Sequence, residues 1–328
     1  MSSFAQHITQ LGIHFFSAVL IFCFCCCGTD NASEDLGDSL NERSAASRKG
    51  RHVFDDGSVY DGELVAGKPG GYGERRYLND DVYIGSFHEG MPHGQGTFRY
   101  KSDVNLSRYV GVWQNGKRNG YGSLYLADGS VFVGQWSADV MVHGEFRGVD
   151  GTLLSGVWRG DSLERGKMGQ ADGSTFTGIF DLEGGYLAGS LHAANGDHFV
   201  GSFVNGVYDG SGSLVKSDGT TYVGSFKAGL YSGEGILEDS EGRRYIGSFL
   251  LGNPSGEGQQ VVSTGVMYSG DWKDGLRHGK GSIDFGDGTS YVGEFRNGLA
   301  YDGRYDWGDG WVTRSYQEAD GQWRDRAE

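Results

Sequence analysis

Between Phe199 and Gly298 the aromatic, small and polar positions recur with a period of 23 residues. Five openings show it: Phe199-Val-Gly201-Ser-Phe203, Tyr222-Val-Gly224-Ser-Phe226, Tyr245-Ile-Gly247-Ser-Phe249, Tyr268-Ser-Gly270-Asp-Trp272 and Tyr291-Val-Gly293-Glu-Phe295. Side chains alternate sides along a strand, so ring, glycine and ring share one face while Val, Ser, Asp and Glu take the other. A glycine between two rings leaves a slot in which a neighbouring ring can lie flat. Each opening is closed by a glycine (Gly206, Gly229, Gly252, Gly275, Gly298), and Gly-x-Gly pairs such as Gly233/Gly235 and Gly256/Gly258 begin a second segment that ends on Leu214, Leu237 or Ile283. Asp218-Gly219, Glu241-Gly242 and Asp287-Gly288 mark the turn into the next unit. The pattern predicts β-hairpins in a stacked array.

The same opening appears upstream at Tyr60, Tyr83 and Tyr109, with the spacing widened to 26 residues by an insertion at KSDVNLSR, residues 101–108. Phe132, Leu154 and Phe176 keep the opening triad but their later glycines drift, and two spacings shorten to 22. Residues 132–198 therefore read either as a bend between two regular blocks or as plain repeat decay. A half unit over 53–59, turning at Asp56-Gly57, is expected to supply the first strand.

These residues carry a family resemblance: Y-x-G-x-[F/W]-x-x-G-x-x-x-G-x-G is similar to the MORN repeat, over roughly residues 52–311 and about 11 units. The resemblance implies an all-β, elongated, single-layer antiparallel meander of hairpins. It also implies a non-enzymatic scaffold that links membranes to cytoskeleton or organises protein complexes. Some relatives append a catalytic domain, for which the short segments flanking this array are expected to leave no room.

Composition sharpens the class. Glycine makes up 60 of 328 residues, which alone would suit a disordered chain, but 13 % aromatics supply ring surface that orders it. Only three prolines leave the ladders uninterrupted. The net charge of −15 disfavours nucleic acid and anionic lipid as bulk partners and suits a basic or neutral protein, or simply solubility.

Residues 1–27 stand apart. An apolar run from Leu11 to Cys27 holds every cysteine of the chain, Cys23, Cys25, Cys26 and Cys27. As a helix it would span roughly 26 Å. It reads as a retained single-pass anchor or an interfacial segment acylated on those thiols, with the array in the cytoplasm. A cleaved signal peptide is the alternative and would make the array secreted or luminal, with Asn31-Ala-Ser33 and Asn105-Leu-Ser107 as glycosylation acceptors. Residues 28–51 read as a flexible linker and 312–328 as a C-terminal cap and tail.

No motif calls for a cofactor or a metal. The Gly-x-Gly pairs recur at the repeat offset and precede no helix, so they are hairpin glycines rather than phosphate loops. His93, His143 and His278 fall in distant units and do not converge. What remains is the aromatic stripe, Tyr222, Phe226, Tyr245, Phe249, Tyr268, Trp272, Tyr291 and Phe295. A single-layer sheet has no second layer to cover it, so partial exposure along a groove is expected, with these rings anchoring a partner helix or peptide. The expected partners are a protein, with cytoskeletal proteins included, and a membrane through the N-terminal segment. The alternative is a phospholipid-binding module.

Overall fold

The computed structural model describes residues 47–325. Every regular element among them is a β-strand, 25 in number, antiparallel to each neighbour for which a register is defined. The expected N-terminal helix over residues 1–27 lies outside the described residues, as does most of the linker. Among the described residues no helix is long and apolar enough to cross a membrane.

The Tyr222 hairpin shows how the sequence builds a unit. Its strands Thr221–Lys227 and Leu230–Glu238 pair Tyr222 with Leu237, Gly224 with Gly235 and Phe226 with Tyr231. Between them Ala228 and Gly229 both adopt left-handed φ, 49° and 82°, the conformation a two-residue hairpin turn demands. The register breaks after Gly224, because Gly233 and Glu234 are extra on the second strand. Gly233 takes φ 61° in this bulge. The two glycines of Gly-x-Gly thus do different work: the first supplies the bulge and the second the slot beneath the ring.

The shortened units follow from the same device. In the Phe132 hairpin Gly134 pairs with Gly144 and Trp136 with Met141, so one residue is bulged where the regular units have two. The Leu154 hairpin is alike, pairing Gly156 with Gly166 and Trp158 with Leu163. Dropping one bulge residue gives a 22-residue unit and leaves the facing glycines in register.

The chain divides into two compact units, one of the described residues to Ala171 with Phe180–Gly184, the other of Asp172–Ile179 with the residues from Gly185 on. In the first, each strand from Arg48–Val53 to Ser162–Gly169 pairs with the next. In the second the same holds from Tyr186–His192 to Trp323–Asp325. The stretch 132–198 straddles the division.

Two boundaries differ from the sequence reading. The first strand is Arg48–Val53, which begins inside the expected linker, and residues 54–58 of the half unit expected to supply that strand form a turn instead, with Phe54 N–H on Ser58 O at 2.9 Å. At the other end Val312–Gln317 and Trp323–Asp325 extend the ladder, and Trp323 packs 4.9 Å from the Tyr291 ring. Alternation over only three residues is too short to separate a strand from a tail by pattern alone.

Candidate functional site

The eight rings of the predicted groove are core. Tyr222, Tyr268 and Tyr291 are fully buried, and Phe226, Tyr245, Phe249, Trp272 and Phe295 are 1–6 % exposed. The partial exposure expected of a single-layer sheet does not occur, because the rings themselves make the second layer. Tyr222 lies over its own glycine pair and stacks on Tyr231 at 3.9 Å. It meets the edges of Phe226 at 5.0 Å and, from the following unit, Phe249 at 5.2 Å. Its hydroxyl donates to Ser225 O at 2.9 Å, at the bulge, and Tyr245 and Tyr268 repeat this bond to Ser248 O and Asp271 O. Where tryptophan replaces phenylalanine, its indole N–H reaches the carbonyl of the preceding unit's slot glycine, as Trp272 does to Gly258 O at 3.2 Å. Burial drives the phenol pKa of Tyr222, Tyr245 and Tyr268 up to about 12.

The residue nine places after the opening ring, Tyr231 in the Tyr222 hairpin, caps the tyrosine. Pro254 and Arg277 stand there in the next two units, and Arg118 in the Tyr109 unit. Arg118 is buried against Trp136, with its guanidinium carbon 4.5 Å from the ring. It donates from Nε to Asp139 Oδ1 at 3.2 Å and from Nη2 to Asp139 O at 2.8 Å. This ion pair ties one hairpin tip to the next and replaces a ring stack, a structural use of a buried charge.

The opposite face of the sheet and the hairpin tips are what solvent meets. In the second unit the tips carry an exposed aliphatic row of Val204, Val207, Leu230, Leu250, Leu251 and Leu276. Successive tips are fixed to one another: Gly229 N–H donates to Tyr208 O at 2.8 Å, Gly252 N–H to Tyr231 O at 2.9 Å and Gly275 N–H to Pro254 O at 2.9 Å. Leu251 is 72 % exposed and holds φ 49°, the left-handed conformation that costs a β-carbon residue roughly 1–2 kcal/mol. The equivalent tip positions elsewhere in this unit are Asn205, Ala228, Asp274 and Asn297. Sequence reading passed over this row because one or two aliphatics per unit, outside the aromatic register, form a line only once the turns stack. A leucine directly before a turn glycine, at a place where asparagine recurs, was the available signal.

Other candidates resolve plainly. His93, His143 and His278 lie on separate strands, Met91–Arg99, Val140–Arg147 and Leu276–Asp284. Among the described residues no three histidine, cysteine, aspartate or glutamate side chains cluster as a metal site. Cys23, Cys25, Cys26 and Cys27 lie outside the described residues. The insertion at 101–108 is anchored at its start, where the Lys101 and Ser102 N–H groups donate to Asp81 Oδ1 at 2.6 and 3.0 Å. An open depression lined by Lys49, Arg51, Asp61, Glu63, Tyr72 and Glu74 mixes both charge signs and converges on no single group.

With hairpins, facing glycines and flat tyrosines in place, the family model of the MORN repeat matches eight segments: residues 60–82, 83–103, 109–131, 132–153, 199–221, 222–242, 268–290 and 291–300. The chain belongs to the MORN repeat family. The longest stretches of the repeat array that the matches leave out are residues 154–198 and 243–267. MORN geometry nevertheless holds there, as Gly247 facing Gly258 and Gly156 facing Gly166 show. The Tyr245 unit departs in carrying Gln260 opposite its tyrosine, where Leu237 stands in the unit before.

No curated protein matches the chain. Among solved structures it is similar to the SAS-4 (dCPAP) TCP domain of Drosophila melanogaster, solved with a proline-rich motif of Ana2 (dSTIL), at 14 % identity and TM-score 0.16, over 66 % of this chain and 99 % of that one. It is also similar to an inactive virginiamycin B lyase from Staphylococcus aureus, at 10 % identity and TM-score 0.14, over 83 % and 96 %. A streptogramin B lyase follows at 13 % and 0.13, over 87 % and 91 %. At these TM-scores none of the three bears on fold or function.

Proposed function

We propose that this MORN repeat chain is a non-enzymatic scaffold, held at a membrane by the apolar segment 11–27, that binds a protein partner along the hairpin-tip row of its second unit. The carrying observation is Leu251, a large aliphatic residue kept exposed in a strained turn where asparagine would cost less. Leu250, 59 % exposed, lies beside it, and Leu230 continues the row at the neighbouring tip. Such a row suits the apolar stripe of an amphipathic helix. The buried rings act indirectly, by fixing the spacing and height of the tips.

The test is affinity capture with a Leu250→Ser, Leu251→Asn variant against wild type, with Val149→Ser, an exposed position in the first unit, as control. Partners retained by the control and lost by the tip variant support the reading; partners unchanged in all three refute it. Because asparagine suits the left-handed conformation, Leu251→Asn alone should raise stability by about 1 kcal/mol while binding falls. Chemical denaturation of that single variant measures the first half of this statement.

A second reading is docking to phospholipid, favoured by Lys227, Lys273 and Arg296 at the strand position that Leu250 holds in its own unit. Flotation with liposomes of a chain lacking residues 11–27, abolished by the same tip variant, would select it. Serine at Cys23, Cys25, Cys26 and Cys27 should release the protein from membranes if acylation holds it there. Protease protection of chains tagged at either end separates a cytoplasmic array from a luminal or secreted one.

A further inference from the structure

The hairpin Tyr186–His192 and His198–Val204 carries a pair that the repeat does not require. His192 and His198 face each other directly across the ladder, and their rings stack with centroids 4.0 Å apart and planes 18° from parallel. One step toward the turn, Ala193 N–H donates to Asp197 O at 2.8 Å. Bonded and non-bonded pairs alternate along an antiparallel ladder, so the histidines occupy a non-bonded pair, where facing side chains come closest. Both stand on the face opposite the buried rings, His192 exposed and His198 half-buried.

The turn between them is held firmly. Gly196 N–H donates to Ala193 O at 3.0 Å, Asp197 N–H to Asn195 Oδ1 at 3.0 Å, and Ser217 N–H from the next turn to Asp197 Oδ1 at 2.9 Å. Ser190, on the same face, sets its Oγ 2.9 Å from His198 Nε2. With Nε2–H donating to that hydroxyl, Nδ1 of His198 is the bare nitrogen, the arrangement by which an outer hydrogen bond fixes the tautomer of a metal-binding imidazole.

We propose that His192 and His198 form a surface site for one divalent transition ion, copper(II) in preference to zinc(II), bound by one imidazole nitrogen from each ring with water completing the coordination. Imidazole suits these borderline ions and copper leads the affinity order. Bonds of about 2.0–2.1 Å place two adjacent ligand nitrogens roughly 3 Å apart. In the stack the lone pairs lie in nearly parallel planes, so binding requires the two rings to turn out of the stack about the broad terminal torsion of histidine until one nitrogen of each points at the ion. Calcium and magnesium, which take oxygen ligands, are excluded by the same donor set. Another histidine pair among the described residues, His88 and His93, is not so arranged: its rings lie 5.5 Å apart at 59°, and His93 Nδ1 is buried without a partner.

The test is titration of the full-length protein, its four cysteines blocked by alkylation, with copper(II) and separately with zinc(II). Calorimetry gives the affinity, and the copper electron paramagnetic resonance spectrum gives the number of coordinated nitrogens. Wild type and His93→Ala should each bind one copper ion through two imidazole nitrogens. His192→Ala and His198→Ala should each lose affinity about tenfold or more with circular dichroism unchanged, and Ser190→Ala should weaken binding less than either. Equal affinity in all variants, or loss in His93→Ala alone, overturns the proposal.

Discussion

Gly235→Ala should destabilise the protein by about 3 kcal/mol, which is the cost of overpacking a close-packed site plus one lost hydrogen bond. The new methyl carbon would sit 2.5 Å from Tyr222 Oη, 2.6 Å from Cε2 and 2.7 Å from Cζ. Tyr222 has nowhere to go, since Tyr231 stacks on it and the edges of Phe226 and Phe249 close in. Lifting the ring would also break its bond to Ser225 O. Removing the hydroxyl with Tyr222→Phe should not rescue the variant, because the clash includes ring carbons; above Gly212 the phenyl of Phe199 already fills the same space at 2.5 Å. Gly169→Ala is the control: its methyl would find only Leu153 Cβ at 3.9 Å, and loss of glycine's unfolded-state freedom should leave stability unchanged or higher by about 0.4–1 kcal/mol. Urea denaturation midpoints with unchanged slope decide between the two. Equal midpoints for the two alanine variants would show that the flat ring over the glycine pair is not what limits the packing.

How much of this was legible in the sequence depends on how local the cause is. The opening triad could be read because strand alternation alone puts Tyr222, Gly224 and Phe226 on one face. The facing of Gly224 with Gly235 could not be read from the turn alone, which would set Gly224 opposite Gly233; the two-residue bulge moves Gly235 into that place. The bulge at Gly233 was not legible, because a glycine chosen for left-handed φ and one chosen for space look the same as letters. The expected exposure of the rings is absent for a related reason: composition gives the area of the rings but not their tilt, and a ring lying flat covers what a standing ring would expose. The tip row and the His192–His198 pair needed the register between strands. For the histidines that register was within reach, since they flank Ala-Ala-Asn-Gly-Asp symmetrically.

The same burial that takes the tyrosines off the surface makes the fold sensitive to alkali. In the unfolded chain a phenol ionises near pH 10, whereas in the folded protein burial pushes Tyr222, Tyr245 and Tyr268 up to about 12. Between these values the unfolded state has released protons that the folded state still holds, so stability falls as pH rises. Below about pH 10 both states keep the proton and the contribution is intact. Above it, each such tyrosine removes on the order of 1.4 kcal/mol per pH unit until the folded value is reached. Three acting together would remove roughly 4 kcal/mol per unit, a large share of the 5–15 kcal/mol typical of a folded domain. Tyr83 and Tyr109 in the first unit are displaced in the same direction by the same cause. The expected result is a urea midpoint that is level through neutral pH and drops steeply between about pH 10 and 12, with tyrosinate absorbance rising together with unfolding. Tyrosines that titrate near pH 10 while the strand signal in circular dichroism persists would mean that the rings reach water in the folded chain, and the aromatic layer would then have to be redrawn.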